Sequence, residues 1–148
     1  MDPLKLLKAD HDEVKALLKK LDETTERAEV TRTDGLEELR QKLDVHETIE
    51  EEILYPALKE HAKTKAITLE AYEEHHVVDM VMAELEATPV GDETWAAKLT
   101  VAKENVENHI EEEEDQMFKQ ARQVMDEAEL EALGDEMAAR KAELTSAG

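Results

Sequence analysis

A histidine followed four residues later by a glutamate occurs twice in the sequence, and a lone histidine precedes each pair by about one helix hairpin. On an α-helix, positions i and i+4 lie one above the other, so each pair points an imidazole and a carboxylate at the same place. Together these groups are typical ligands for iron, manganese or zinc when no thiolate is present. The six residues are His11, His46, Glu50, His75, His109 and Glu113.

All six residues stand where a helical stripe of apolar side chains would require an apolar residue. In the second predicted helix the stripe runs through Leu39, Leu43, His46, Glu50 and Ile53 at spacings of three and four residues. Burying an unpaired carboxylate costs several kcal/mol, and a buried neutral imidazole needs partners for both nitrogens. Because a cation satisfies both kinds of group, we predict that the six residues are metal ligands.

The two halves of the chain repeat this arrangement. Residues 11–21 align with residues 75–85, and residues 46–55 align with residues 109–118. Two such hairpins related by approximate two-fold symmetry would bring four histidines and two glutamates to one centre. Six ligands exceed what one tetrahedral zinc needs, and two carboxylates can bridge two ions, so the repeat favours a dinuclear centre.

Apolar spacing and capping residues predict the helices that position these ligands. Asp2 followed by Pro3 indicates the start of the first helix, and the polar residues 22–33 are predicted to form a connection. Asp34 is the predicted cap of the second helix. Pro56 is expected to kink or end that helix, because proline lacks a backbone donor and clashes with the previous turn.

Three more helices follow in the second half of the sequence. The third is predicted from about Thr68, and a turn at residues 89–92 separates it from a fourth helix that starts near Trp95. Asp126 and Glu129 form a capping box for the last helix. His61 lies off the stripes and is expected at the surface.

Composition and helix number together predict an all-α fold, an antiparallel up-down four-helix bundle with an additional short C-terminal helix. Gly (4) and Pro (3) are scarce among the 148 residues, and 41% are hydrophobic. We expect a single domain over residues 1–148, with the metal-binding bundle at about 2–122 and the C-terminal helix at about 126–145.

Charge and residue types exclude several classes of function. The chain has 18 basic and 39 acidic residues, a net charge of −21 that repels nucleic acid and anionic membrane surfaces. The lack of cysteine excludes disulfides, iron–sulfur clusters and thiol catalysis. With no leader segment and no apolar run near the length of a membrane span, we expect a cytoplasmic protein.

The order of these motifs resembles the hemerythrin-like, or HHE cation-binding, domain family, in particular its bacterial single-domain members. The resemblance covers about residues 4–118 and is most specific at HETIEEEILYP (46–56) and HIEEEED (109–115). It implies two iron ions in an oxo- or hydroxo-bridged di-iron centre held by the six residues above, with Glu50 and Glu113 as the bridges.

The resemblance also implies a range of functions. The first hypothesis is a non-haem di-iron protein that binds or reacts with O₂, H₂O₂ or NO, with catalase-like peroxide turnover as a candidate enzyme activity. The alternative is an iron or oxygen sensor, or a metal-binding module without turnover. A metal-free helical interaction protein is the third hypothesis, and under it the six ligands would be a coincidence.

One departure from the family pattern leaves a ligand position open. Oxygen-carrying hemerythrins place a second histidine four residues after the one on the third helix, and here that residue is Asp79. Asp79, Tyr55 or water could fill the position. Tyr55 points away from Glu50 in ideal α-helical geometry, but a local π-helical widening near Pro56 would turn it inward.

Two pairs of neighbouring residues also remain as alternatives. The oxygen carriers use an acid five residues after the last histidine, which here is Glu114, whereas the internal repeat favours Glu113. A shift of one residue in the third helix would exchange His75 for His76.

Overall fold

A computed structural model of the chain describes residues 1–147. In this part of the chain all regular structure is helical, with two short π-helices and no strand, which confirms the predicted all-α class. The elements are α1 (Pro3–Asp22), α2 (Glu29–Ile49), π1 (Glu50–Leu54), α3 (Tyr55–Lys59), α4 (Ala62–Glu86), α5 (Trp95–Glu112), π2 (Glu113–Met117), α6 (Phe118–Val124) and α7 (Glu127–Ala147).

Five helical rods result from these elements, because α2, π1 and α3 follow one another without a break, as do α5, π2 and α6. The first rod begins where the sequence predicted. The Asp2 side chain accepts a hydrogen bond from the backbone N–H of Leu4 at 2.9 Å, and Pro3 occupies the first turn, where its missing N–H is not needed.

The predicted start of the second helix at Asp34 was wrong, since α2 begins at Glu29. The cause is Arg32, which is buried and holds this polar stretch against the rest of the protein. Its guanidinium donates to the Val90 carbonyl at 2.6 Å and lies 4.2 Å from the centre of the Trp95 ring. Contacts of this kind come from distant parts of the chain and leave no periodic signal.

The predicted start of the third helix near Thr68 was also wrong, since α4 begins at Ala62. Thr64 and Thr68 are fully buried although both are polar. Their hydroxyls donate to the backbone carbonyls of Leu58 (2.5 Å) and Thr64 (2.6 Å). These local hydrogen bonds allow threonine to occupy positions that a search for apolar stripes leaves out.

Pro56 does not end its helix. The hydrogen bonding instead widens just before it, so that the Tyr55 N–H bonds to the Glu50 carbonyl five residues earlier. In the second half, the Phe118 N–H bonds to the Glu113 carbonyl in the same way, although the residue at the position of Pro56 is Lys119. A proline is therefore not required for the widening.

Two apolar clusters lie on either side of the candidate ligands. Helix α1 packs on α2 and on α5, α4 packs on α5, and α7 packs on both α1 and α2. Along α1, His11 separates Leu7 of one cluster from Val14 of the other. The same separation occurs on the other three rods that carry candidate ligands, so the polar centre lies between two apolar layers.

None of the helices in residues 1–147 has a stretch that is both long enough and apolar enough to span a membrane.

Candidate metal centre

The structure brings all six predicted residues together in the interior. Their ligand atoms form two groups of four, and within each group the atoms lie within 4.8 Å of one another. The first group is His11, His46, Glu50 and Glu113, and the second is Glu50, His75, His109 and Glu113. The two glutamates belong to both groups and therefore join them.

Glu50 is fully buried and lies between imidazoles without forming a hydrogen bond. Its Oε1 is 3.1 Å from Nε2 of His46 and 3.1 Å from Nε2 of His75. Neither contact has hydrogen-bond geometry, and among the described residues neither carboxylate oxygen has a hydrogen-bond partner. A buried carboxylate in this state is costly. Its surroundings fit a cation that would be shared with the imidazole nitrogens.

Glu113 holds the equivalent position in the second half. Its Oε1 is 3.0 Å from Nε2 of His11, and its Oε2 is 3.3 Å from Nε2 of His109. The Tyr55 hydroxyl donates to Oε2 of Glu113 at 2.5 Å and is 3.3 Å from Nε2 of His75. The π-helix thus turns Tyr55 into the centre, in the direction that the sequence hypothesis required.

An outer shell of carboxylates orients the four imidazoles. Because an ionised carboxylate only accepts hydrogen bonds, each ring must donate through Nδ1, which leaves Nε2 facing the centre. The pairs are His11 with Glu114 (2.6 Å), His46 with Asp10 (3.1 Å), His75 with Glu51 (2.9 Å) and His109 with Glu74 (2.5 Å).

These outer acids were missed from the sequence, although the internal repeat contains their signal. Asp10 and Glu74 directly precede the lone histidine of each half, and Glu51 and Glu114 directly follow the glutamate of each pair. The same geometry distinguishes Glu113 from Glu114. Glu114 accepts a hydrogen bond from the outer side of the His11 ring, whereas Glu113 lies inside the centre.

Helix α7 reaches this outer shell. Nζ of Lys141 donates to Oδ1 of Asp10 at 2.5 Å, and the other oxygen of Asp10 accepts the hydrogen bond from His46. The C-terminal helix is therefore connected to the centre through one ion pair.

His76 and Asp79, the other residues that the sequence left open as ligands, lie outside the centre. His76 is exposed, whereas its neighbour His75 is buried. The side chain of Asp79 is 44% exposed, and its Oδ1 lies 3.5 Å from a guanidinium nitrogen of Arg40. Asp79 is therefore not placed where it could fill the open ligand position. His61 is partly buried at the start of α4 rather than fully exposed.

The two halves of the centre differ in one aromatic residue. Tyr55 stacks on His75 with ring centres 5.3 Å apart, and Phe118, at the equivalent position of the repeat, stacks on His11 with ring centres 5.9 Å apart. Only the tyrosine carries an oxygen, so the group around His75 has one more donor than the group around His11.

In the absence of a cation, neighbouring carboxylates hold protons on the imidazoles of His75 and His109. Burial lowers the pKa of His75, but Glu50 and Glu51 outweigh burial and raise it to about 9. Burial likewise lowers the pKa of His109, and Glu113 outweighs it and raises the value to about 10. Protonated imidazoles then supply the positive charge that a metal would otherwise bring, and a metal must displace these protons to bind.

The pKa values of the oxygen donors Glu113 and Tyr55 are shifted by burial and by their charged neighbours. Burial raises the pKa of Glu113, but the adjacent His109 outweighs this effect and holds it well below the usual range. Burial, Glu113 and Glu50 all raise the pKa of Tyr55 well above the usual value, so its hydroxyl stays protonated and donates. The anionic Glu113 and a neutral phenol therefore face each other in the metal-free protein.

A cavity of about 20 Å³ lies against all four imidazoles. This volume is enough for one water-sized molecule. Glu47 forms one part of the wall, and the remaining lining is apolar, from Val14, Leu43, Val78, Val106 and Ile110.

Comparison with known proteins agrees with this geometry. A sequence profile described as the hemerythrin HHE cation binding domain matches residues 2–121. The chain belongs to the hemerythrin HHE cation-binding family. The match covers nearly all of the first four rods described above and all six candidate ligands.

Relatives are found in mycobacteria. The chain is 35% identical over 144 residues to an uncharacterized protein of Mycobacterium tuberculosis H37Rv, Rv2633c, and to one of Mycobacterium bovis, Mb2666c, covering 95% of this chain and 85% of each relative. A crystal structure of a hemerythrin HHE cation binding domain-containing protein from Mycobacterium kansasii, titled an Rv2633c homolog, superimposes with a TM-score of 0.87 at 33% identity. That alignment covers 99% of this chain and 89% of the other.

We predict that the free energy of unfolding of the metal-free protein falls as the pH rises from about 6.5 to about 10. His75 and His109 bind protons more tightly in the folded state than in the unfolded state. Their contribution to the free energy of unfolding is therefore complete below the pKa of histidine in the unfolded chain. It is lost as the pH rises through their pKa values in the folded protein. Urea-induced unfolding followed by circular dichroism across this range measures the effect.

A matched pair of variants on α4 separates this effect from the general charge of the protein. His75→Gln should reduce the slope of stability against pH, whereas His76→Gln, which changes an exposed neighbour, should leave it unchanged. Stability that stays constant or increases over this range would contradict the proton arrangement described here.

Proposed function

We propose that the protein is a non-haem di-iron protein that binds or reacts with O₂, H₂O₂ or NO, with catalase-like turnover of peroxide as its activity. One observation carries the proposal: two groups of four buried nitrogen and oxygen donors share the same two glutamates. Shared carboxylates between two donor groups are what a pair of metal ions requires.

The donor set favours iron over other metals. It contains imidazole and carboxylate groups and one phenol, with no sulfur. With the shared glutamates counted, the half around His75 has five donors, one more than a closed tetrahedral zinc site needs, and the half around His11 has four. In this proposal His11 and His46 would hold one ion, and His75, His109 and Tyr55 would hold the other. Glu50 and Glu113 would contribute to both.

The order and packing of the rods support an antiparallel up-down four-helix bundle as the scaffold. Connections between successive rods are short, and α1 with α2 and α4 with α5 pack as hairpins. Helix α7 then lies outside the bundle against α1 and α2. We propose that the whole chain forms one hemerythrin-like domain on this scaffold.

Bound iron would supply one-electron chemistry toward O₂ and its reduced forms. The residues around the centre would control the orientation and basicity of the imidazoles. Asp10, Glu51, Glu74 and Glu114 hold the imidazole rings in one orientation and raise their basicity. The small cavity, which has room for one water-sized molecule, would limit the entry of bulk water, since most of its wall beyond the imidazoles is apolar.

The difference between Tyr55 and Phe118 makes the two halves unequal. The half that contains His75 has a phenol oxygen as a further donor, and the half that contains His11 has an apolar ring in the same place. We infer that the His11 side would be the more accessible to a small molecule, because it has no phenol oxygen as a further donor.

Iron content and peroxide turnover test the proposal together. The reconstituted protein should hold about two irons per chain and release O₂ from H₂O₂. Two peroxide molecules give one O₂ and two waters, so no external reductant is needed. Glu50→Ala and Glu113→Ala should each lose the iron pair and the turnover while the helical circular dichroism remains.

Glu111→Ala is the matched control, because Glu111 is an exposed glutamate on the same rod as Glu113. It should keep both iron and turnover. An iron pair without O₂ release would favour the binding module without turnover. A wild-type protein that takes up no iron, or a Glu50→Ala protein that keeps the full pair, would refute the di-iron centre.

Tyr55→Phe tests the proposed phenolate ligand. A tyrosine bound to ferric iron gives a charge-transfer band in the visible range, and we expect this band to disappear in Tyr55→Phe. Tyr72→Phe is the control, since the Tyr72 ring packs edge-on against Tyr55 at 5.2 Å but its hydroxyl lies outside the centre, 3.4 Å from the Glu51 carbonyl. If Tyr55→Phe left the spectrum unchanged, the phenol would only be a hydrogen-bond donor to Glu113.

A further inference from the structure

An acidic pocket of about 330 Å³ opens on the protein surface next to the candidate metal centre. Its lining comes from α2 and π1 on one side and from α4 on the other. The lining residues are Asp44, Glu47, Thr48, Glu51, Glu52 and Asp79. Five of these six side chains are carboxylates, so the pocket attracts cations.

Glu47 forms the inner end of this pocket. It is only 7% exposed, and among the described residues its Oε2 has no hydrogen-bond partner. The same side chain also lines the small internal cavity that touches the four imidazoles. Glu47 therefore lies at the boundary between the outer pocket and the centre.

Glu47 is also part of a third group of potential ligands. Donor atoms of Glu47, Glu51 and His75 lie within 4.8 Å of one another. The His75 ring connects this group to the centre, because its Nδ1 is 2.9 Å from Glu51 and its Nε2 is 3.1 Å from Glu50. One imidazole ring thus separates an outer set of donors from the inner one.

Basic residues neutralise the rim of the pocket but not its inner end. Arg40 lies 3.3 Å from Asp44 and 3.5 Å from Asp79, and Arg140 donates to Glu52 at 2.9 Å. Within residues 1–147, no lysine or arginine forms an ion pair with Glu47 or Glu51. Burial raises the pKa of Glu47 to about 9, so a cation that binds there would displace its proton.

The internal repeat shows that the fold does not need an acid at this position. The residue equivalent to Glu47 in the second half is Ile110, which is 3% exposed. Burying an unpaired carboxylate is unfavourable where isoleucine would pack well. Packing alone therefore does not explain the acid at position 47, and a cation is a partner that would use its Oε2, which has no hydrogen-bond partner among the described residues.

We propose that Glu47 and Glu51 form an outer cation site, where a divalent cation exchanges its water for carboxylate oxygens before it passes His75 into the centre. The inference rests on the di-iron centre proposed above, and it assigns to this face of the protein the route by which Fe²⁺ enters. In this proposal the outer site binds the cation only transiently, and the ions that stay bound lie in the centre.

The rate of iron uptake tests this route. Metal-free protein is mixed with Fe²⁺ in the absence of O₂, free iron is removed on a desalting column at set times, and iron per chain is measured. Glu47→Ile and Glu47→Gln should slow uptake about tenfold or more, while the final iron content equals that of the wild-type protein. Glu47→Ile introduces the residue that the second half already uses, and Glu47→Gln keeps the shape of the side chain.

Glu52→Gln is the matched control, because it removes one negative charge from the same pocket at a residue paired with Arg140. Its uptake rate should stay within about twofold of the wild-type rate. Equal slowing in Glu52→Gln, or an unchanged rate in both Glu47 variants, would overturn the outer site. A lower final iron content in the Glu47 variants would place Glu47 in the resident centre instead. Failure of the wild-type protein to take up iron at all is a different result, which refutes the centre itself.

Discussion

The burial of two carboxylates among four imidazoles is the constraint on which the rest of the structure depends. Glu50 and Glu113 are almost completely removed from water in the middle of a helical core, where an uncompensated charge would cost more than most single contacts contribute. Apolar layers above and below the centre hold the rods in place, and the outer acids fix every ring with Nε2 facing inward. Packing and polar contacts therefore stabilise the same arrangement of donors, which a cation would complete.

The two π-helices adapt the rods to this centre. Each begins at a central glutamate, and each gives the residue five positions later a hydrogen bond to that glutamate's carbonyl. The extra residue in the turn moves Tyr55 and Phe118 onto the side of the rod that faces the imidazoles. A regular α-helix would have directed both rings elsewhere, and the half-site around His75 would have lacked its phenol oxygen.

The candidate ligands could be predicted because they interrupt apolar stripes in a repeated pattern, and the structure brings all six together. Features that depend on distant contacts could not be predicted in this way. The early start of α2 follows from the contacts of Arg32, and that of α4 from the buried hydroxyls of Thr64 and Thr68. The outer acids stand in runs of glutamate where the sequence alone does not distinguish a hydrogen-bonded carboxylate from a solvated one. Glu47 was overlooked because it lies next to a stripe rather than on it.

Anomalous diffraction at the iron absorption edge, from crystals of the iron-loaded protein, tests the central claim most directly. We expect two anomalous peaks inside the protein, one beside His11 and His46 and the other beside His75 and His109, with both glutamates between them. A single peak, or peaks confined to surface carboxylates, would show that the buried groups do not hold a pair of iron ions.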